Sequence, residues 1–497
     1  MGLASVDSPQ GGAGLARVRD LLRRADYTAS GIAAAGVDLG LGVRATDAGV
    51  LGRALRPVEP LATLVRLFLL GQPARVLDVE RRLGRDEAVL EELGFLARSG
   101  DVVEAAIRLT PWRGFLVAHD PDPAGPLWAE HVSGPTPAAE TLADLIVRRA
   151  ASTALDVGTG SGLLALLLAR DASRVLATDI NPAATRYADL NAGLNEVATI
   201  ETRIGDLLEP VGAERFGVIV SNPPYVVSPE TELVFRHSAM GRDELSRRVI
   251  RDAAAHLEDG GIAQVLCNWI QRPGERWQAA LEEWVAGTGC DAVLLLHGIE
   301  DPFAYAVRWN LRAQQVTPAT HGATLDRWLE YYRAERIEAI ASGGVILRRR
   351  DGENWVHSLE LHDASRGPAG AQIDAIIAGR DYLAGLTDDR AMLEAAIVVD
   401  APHRLDQALV SREGSYIVES ASLVLEEGLG NRLLVEPDLI PVLIRLDGTQ
   451  TLGEIVDEVV EGTGAHRGQL TARVLRFARA LLEGGYARRP GAGGTDE

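Results

Sequence analysis

Leu155-Asp156-Val157-Gly158-Thr159-Gly160-Ser161-Gly162-Leu163-Leu164 is the stretch whose reading decides the fold. An apolar run, "TALDVG", leads into it, and "LLALLLA" follows it at helical length. A strand that ends on closely spaced glycines and opens a helix belongs to an open α/β sheet, where ligands bind beyond the strand ends. Lacking side chains, Gly158, Gly160 and Gly162 permit a tight turn and close approach of a ligand to the backbone. Outward from this loop, "TALDVG", "RVLATDI", "IETRIGD", "FGVIVSN", "GGIAQVLCNW", "CDAVLLLHG" and "AYAVRWN" are seven strand candidates between 131 and 312, most of them separated by helices. Such alternation predicts an α/β, Rossmann-like, doubly wound sheet that is mainly parallel, with an antiparallel last strand.

The spacing is Asp-x-Gly-x-Gly-x-Gly, not the GxGxxG of dinucleotide folds. Asp156 stands two residues before the first glycine, an unfavourable place for a carboxylate beside a pyrophosphate. It suits a cofactor with a cationic amino group and no phosphate, a description that S-adenosylmethionine meets. Asp179 ends the next strand about 20 residues on, where an acid accepts from ribose hydroxyls. Asp206 ends the third strand, placed to accept from an adenine amine. The expected cofactor-binding residues are Asp156, Gly158, Thr159, Gly160, Gly162, Asp179, Ile180, Asp206 and Leu207, with Asn222 beside them. Helix and turn capping competes as an explanation for any one of these aspartates. Three acids ending three successive strands make it the weaker one.

At the end of the fourth strand stands Ser221-Asn222-Pro223-Pro224-Tyr225. Two prolines fix the backbone and stop any ladder or helix from continuing. The carbonyls of Asn222 and Pro223 and the Asn222 side-chain oxygen are then free to accept hydrogen bonds. An amide or aromatic amine is a poor nucleophile because its lone pair is delocalised. Acceptors that grip its N–H bonds orient the nitrogen and favour positive charge developing during attack on a methyl sulfonium. Tyr225 can stack on a flat acceptor and exclude water. Asn222, Pro223 and Tyr225 are therefore the candidate catalytic residues, and Pro224, Tyr225 and Thr141 the candidate substrate contacts. No metal is called for.

Residues 131–312 resemble the class I S-adenosylmethionine-dependent methyltransferase fold of the "small" methyltransferase group. That group includes HemK-type protein-glutamine N5-methyltransferases and ribosomal RNA guanine N2-methyltransferases; N6-adenine methyltransferases share the tetrapeptide type. "GPTPAAETLADLI" resembles the helix before the first strand, which puts Pro137, Glu140 and Thr141 near the site. "NPPYVVSPE" and "MGRDELSRRVI" are most similar to the HemK type, whereas the RNA guanine enzymes more often have Phe where Tyr225 stands. The resemblance implies an N-methyltransferase with a macromolecular partner. The acceptor is protein glutamine first (a release factor, for example), RNA guanine or adenine second, DNA adenine third. A non-catalytic module that kept the fold and binds S-adenosylmethionine or nucleic acid is the rival of another class. The N-terminal region does not resemble the helical domain of bacterial HemK enzymes, and the three-part arrangement resembles uncharacterised actinobacterial methyltransferases.

Around this core, residues 1–12 read as disordered and 13–125 as a winged-helix-like α+β domain, with "DVVEAAIRLTP" and "GFLVAHD" as its wing strands. "HDPDPAGP" reads as a linker. Residues 313–420 form an α+β accessory region, with "TLDRWLEYYRAERIEAIASG" helical and "GVILRRR" a strand. Residues 421–490 read as a second winged-helix-like domain, and 491–497 as a tail. The formal net charge of -20 over 497 residues argues against a chain coated in basic surface for gripping a long nucleic acid. All 50 basic residues are arginine. Arg348-Arg349-Arg350 read as a solvated face, and Trp112 as packing. With two cysteines, no signal peptide and no long apolar run, the expectation is a cytoplasmic protein without disulfides or a membrane span.

Overall fold

The computed structural model describes residues 9–37, 48–57, 59–121, 130–229, 243–311, 318–362 and 367–491. Its contacts divide the chain into two units. One takes Met1–Glu140, Ala150–Leu294 and Gly298–His357, the other Thr141–Arg149, Leu295–His297 and Ser358–Glu497.

A mixed sheet lies mostly in the first unit; residues 295–297 and 358–360 of its strands are counted in the second. Its strands are β1 (Ala151–Val157), β2 (Ala172–Asp179), β3 (Ile200–Ile204), β4 (Phe216–Ser221), β5 (Leu257–Gln271), β6 (Cys290–Glu300), β7 (Ala339–Arg349) and β8 (Val356–Glu360). They lie in the order β8-β6-β7-β5-β4-β1-β2-β3. β1 pairs parallel with β2 and with β4, β2 with β3, and β4 with β5, while β7 is antiparallel to β5. Leu155, Leu176, Ile219 and Ala263 are all inaccessible to solvent, as strands covered on both faces should be. Between the strands run α1 (Leu163–Leu168), α2 (Pro182–Leu194), α3 (Glu244–Ala255), α4 (Ala279–Val285), α5 (Pro302–Leu311) and α6 (Pro318–Ala334). The chain moves outward from β1 through β2 to β3 and returns to place β4 on the other side of β1. That reversal opens a ligand crevice at the carboxyl ends of β1 and β4.

The α/β sheet with an antiparallel late strand is as expected, but one strand is not. "AYAVRWN" is helical, within α5, and the antiparallel strand is β7, beyond residue 312. Asp301 caps α5 by accepting from the amides of Phe303 and Ala304 at 3.0 and 3.1 Å, just ahead of Pro302 at the helix start. "IEAIASG", read as helical, lies largely in β7, because tertiary pairing from Ile262↔Arg348 to Gln271↔Ala339 overrides its local preference. Arg348 is not on a solvated face. It is 8% exposed and pairs with the buried Asp291, which Arg350 and the Trp355 amide also reach.

The N-terminal part carries the helices Pro9–Arg24, Ala29–Ala34, Ala48–Ala54, Leu61–Leu64, Val76–Leu83 and Asp86–Glu92. Residues 9–12, expected to be disordered, begin the first helix; 1–8 lie outside the described residues, as do 122–129 of the expected linker. "DVVEAAIRLTP" breaks into two strands in separate sheets. Val102–Ala105 is the middle strand between Ala74–Arg75 and Leu96–Ser99, and Arg108–Trp112 pairs with Phe115–His119 in a two-stranded sheet. One edge of that hairpin is met by a side chain of α2 and by that of Asn195, which caps its C-terminus. Asn191 accepts from the Ala118 amide at 2.7 Å and donates to the Ala118 carbonyl at 2.9 Å, and Asn195 treats Leu116 the same way at 2.8 Å each. Trp112 is buried, its indole donating to Glu140.

The second unit has its own core, including Leu423, Val442, Leu452, Val474 and Leu481. The helix Gly370–Ala384 meets Arg467–Glu483, and Leu452–Thr463 starts with a Thr451/Glu454 capping box. The hairpin His403–Arg412/Ser415–Leu425 runs through residue 420, where a boundary was expected. Residues 492–497 of the expected tail lie outside the described residues. No described helix is long and apolar enough to cross a membrane.

Candidate active site

The register of β1 on β4 sets Val157 opposite Ser221, and the Ser221 hydroxyl donates to the Val157 carbonyl at 2.9 Å. The next residues on the two strands are Gly158 and Asn222. The glycine loop and the Asn-Pro-Pro-Tyr segment therefore leave the sheet side by side, which sequence could only infer.

Within the loop, Gly158, Gly160 and Gly162 all have positive φ, at 72°, 55° and 80°. A Cβ at Gly162 would sit 3.0 Å from the Ala188 Cα on α2, so that glycine serves close packing. A Cβ at Gly158 or Gly160 would meet nothing within 4 Å, so those glycines line open space at the strand ends. The amides of Gly158 and Thr159 both donate to the Thr178 carbonyl at 2.9 Å, tying the loop to β2.

Asp156 is fully buried. Its Oδ2 accepts from the Thr159 hydroxyl at 2.6 Å and from the Ala165 amide at 3.1 Å, while Oδ1 has no partner among the described residues. Burial outweighs these bonds and pushes the carboxyl up to about 7. Asp179 accepts from the Asn181 amide through Oδ1 and from the Gly160 amide through Oδ2, both at 2.9 Å. Burial raises its pKa as well, against the backbone bonds. Ile180 is 51% exposed beside it. Asp206 pairs with Arg248 of α3 at 3.1 Å, and Leu207 has a φ of 49° with its carbonyl accepting from the Thr178 hydroxyl. An unpartnered buried carboxylate oxygen, open space over two glycines and an exposed isoleucine fit a cationic, partly apolar cofactor.

After β4, Pro223 is buried, and Asn222, Pro224 and Tyr225 are part-exposed. Residues 230–242 lie outside the described residues, including His237 and the start of "MGRDELSRRVI". Thr141 lies on the helix Pro137–Leu145 and falls in the second unit. Among residues that sequence reasoning missed, Tyr305 and Tyr332 bond Val227, two residues after Tyr225, and Asn268 donates to the Tyr305 hydroxyl. Asp243, raised by burial, accepts from the Ile270 amide at 3.0 Å near the end of β5. Reading α5 as a strand hid Tyr305.

Residues 135–283 match the model for the family "Methyltransferase small domain". A release factor glutamine methyltransferase of Cereibacter sphaeroides is 39% identical over 141 residues, covering 26% of this chain and 50% of that protein. A ribosomal protein uL3 glutamine methyltransferase of Bradyrhizobium diazoefficiens is 38% identical over 125 residues, covering 22% and 38%. The chain spans about half the length of the curated relatives it matches. Among solved structures, a Thermus thermophilus 16S rRNA N2 G1207 methyltransferase in complex with AdoMet and guanosine overlaps at a TM-score of 0.27 and 20% identity, over 48% of this chain and 63% of that one. The chain carries a methyltransferase domain of the small-domain group, and its cofactor is S-adenosylmethionine.

Proposed function

We propose that this methyltransferase domain methylates an amide nitrogen of a protein glutamine side chain. The observation that carries the reading is the Val157↔Ser221 register, which sets Asn222-Pro-Pro-Tyr225 directly beside the cofactor loop. Support comes from relatives named as glutamine methyltransferases, acting on a release factor or a ribosomal protein.

S-adenosylmethionine supplies an electrophilic methyl group on a sulfonium. Asp156, whose Oδ1 is buried without a hydrogen-bond partner among the described residues, would attract its cationic end. Asp179 would hold the ribose, with lone pairs left for the hydroxyls beyond those taken by backbone amides such as those of Asn181 and Gly160. Asp206, half-exposed and weakly paired with Arg248, would accept from the adenine amine. Gly158, Thr159, Gly160, Gly162, Ile180 and Leu207 shape the wall against which the cofactor lies. Asn222 and the Pro223 carbonyl accept both N–H bonds of the target amide and turn its nitrogen toward the methyl group. Pro224 and Tyr225 cover the flat amide and keep water out. Transfer would break the methyl–sulfur bond, leaving a neutral thioether, and the methylated nitrogen gives its proton to water as the product leaves the site, so no strong base is required.

The N-terminal helices with their three-stranded sheet are read as a winged-helix-like platform, and the C-terminal helices as a second. Purified protein, methyl-labelled S-adenosylmethionine and lysate from a strain lacking the gene test the reading. Label released by protease and mapped to N5-methylglutamine is expected. Label released only by nuclease would replace it with base methylation of RNA or DNA.

A further inference from the structure

The segment that leaves β4 has little ladder to fix it. Pro223 and Pro224 have no N–H to donate, and Pro229 follows soon after. Besides a single bridge at Val226, it is held at Val227, whose two backbone groups are both gripped by side chains. The Val227 amide donates to the Tyr305 hydroxyl at 3.2 Å, and the Tyr332 hydroxyl donates to the Val227 carbonyl at 2.8 Å. Asn268 Nδ2 donates to the same Tyr305 hydroxyl at 2.7 Å.

These groups come from three elements, α5, α6 and β5, and none of them is accessible. Val227 and Tyr305 are 0% exposed, Tyr332 and Asn268 1%. The Tyr305 and Tyr332 rings meet edge-on at 6.5 Å, and Trp328 packs edge-on against Tyr332 at 6.2 Å. In an apolar cluster that includes Val226, Ile270, Ala306, Ile337 and Ile340, phenylalanine would fill the same space without a hydroxyl to desolvate. The two hydroxyls are therefore explained by what they hold, not by packing.

We propose that Tyr305 and Tyr332 are positioning residues that fix the Asn222–Tyr225 loop through Val227, with Asn268 orienting the Tyr305 hydroxyl. The inference rests on the reading that this loop holds the target nitrogen. A small displacement of a loop that aligns a nucleophile lowers turnover far more than it lowers cofactor binding.

The test uses the full chain with Tyr305→Phe, Tyr332→Phe and the double substitution. Hydrogen exchange followed by mass spectrometry reads a peptide over 222–229, with one over 155–165 as internal reference. Calorimetry reads S-adenosylmethionine affinity and stoichiometry, and labelled transfer into gene-deleted lysate reads rate. Expected are exchange at least about tenfold faster over 222–229 only, cofactor affinity within about twofold, and transfer per cofactor-binding site down about tenfold or more. Unchanged exchange over 222–229 in the double variant would overturn the proposal. So would a loss of transfer matched by an equal loss of cofactor stoichiometry, which marks unfolding. If one single variant does not fold, the other carries the test. Label appearing in nucleic acid would overturn the glutamine reading while the variant-to-wild-type ratio still judged the clamp. If wild type labels nothing, exchange alone decides.

Discussion

Asp156 is a carboxyl group whose protonation is set by its surroundings, and that has a sign. Burial pushes it up to about 7, so the folded chain keeps a proton that the unfolded chain has already lost above the ordinary carboxylate range. Its contribution to stability is present at low pH and disappears as pH rises through about 7. A bound cation favours the ionised form, so S-adenosylmethionine affinity should rise as pH is taken from about 6 to about 7.5, with a proton released to buffer. Calorimetry in buffers of different ionisation enthalpy checks this. Asp156→Asn should flatten the dependence and leave weaker affinity throughout; an equal slope in that variant would remove Asp156 from the argument. Two neighbours separate binding from turnover. Asp179→Ala should raise the dissociation constant about tenfold or more, since it removes bonds to a charged acceptor as well as the Gly160 anchor. Asn222→Ala should leave that constant near wild type and cost on the order of a hundredfold or more in turnover, the loss seen when one preorganised polar contact to the reacting group is deleted. Retention of most turnover would contradict the assigned role.

Between elements, the same logic applies to Asn191. From α2 it bonds both backbone groups of Ala118 and donates to the Ser161 carbonyl at 2.7 Å, linking the N-terminal hairpin to the cofactor loop. Asn191→Leu is similar in size but strands three buried backbone groups, so a loss of about 3 kcal/mol is expected by denaturant titration, together with weaker cofactor binding. Stability loss with unchanged cofactor affinity would show that the link to Ser161 is only structural. Nothing local in "YADLNAGLNEV" announces this, because a helical asparagine reads as neutral until the strand edge it serves is in place. The contrast with the core is instructive. β1 to β4 and the glycine loop were legible because strand, turn and helix signals are local there and agree with one another. β7 was misplaced because its pairing with β5 is decided across more than 60 residues of sequence. α5 was misread because alternation in "AYAVRWN" outweighed the Asp301-Pro302 start signal. The acids and the Asn-Pro-Pro-Tyr segment could be found as motifs. Tyr305 and Tyr332 could not, since their partner is a backbone group distant in sequence.

For the whole molecule, charge bears most on the choice of acceptor. With 70 acidic against 50 basic residues, the chain repels polyanions at long range and attracts basic surfaces. Many of its arginines are already committed: Arg174 and Arg203 share Glu201 and Glu214, and Arg19 and Arg23 share Glu196. A protein that works on the ribosome meets RNA phosphates and presents basic surface, so an acidic enzyme would capture it electrostatically. Raising salt from about 50 to about 300 mM shortens the screening length about 2.4-fold, and should lower kcat/KM for a protein acceptor by about tenfold while kcat at saturation changes little. Steady-state kinetics on the acceptor found by labelling checks this, with S-adenosylmethionine affinity measured at both salt concentrations as the control. A nucleic-acid acceptor held at a local arginine patch would also weaken with salt. It would differ in that a polyanion such as heparin competes with it, whereas heparin should leave methylation of a basic protein by this enzyme limited only through sequestration of the acceptor, a loss that added acceptor restores. Inhibition by heparin that persists at saturating acceptor would place a phosphate-binding surface on the enzyme itself and turn the reading toward RNA.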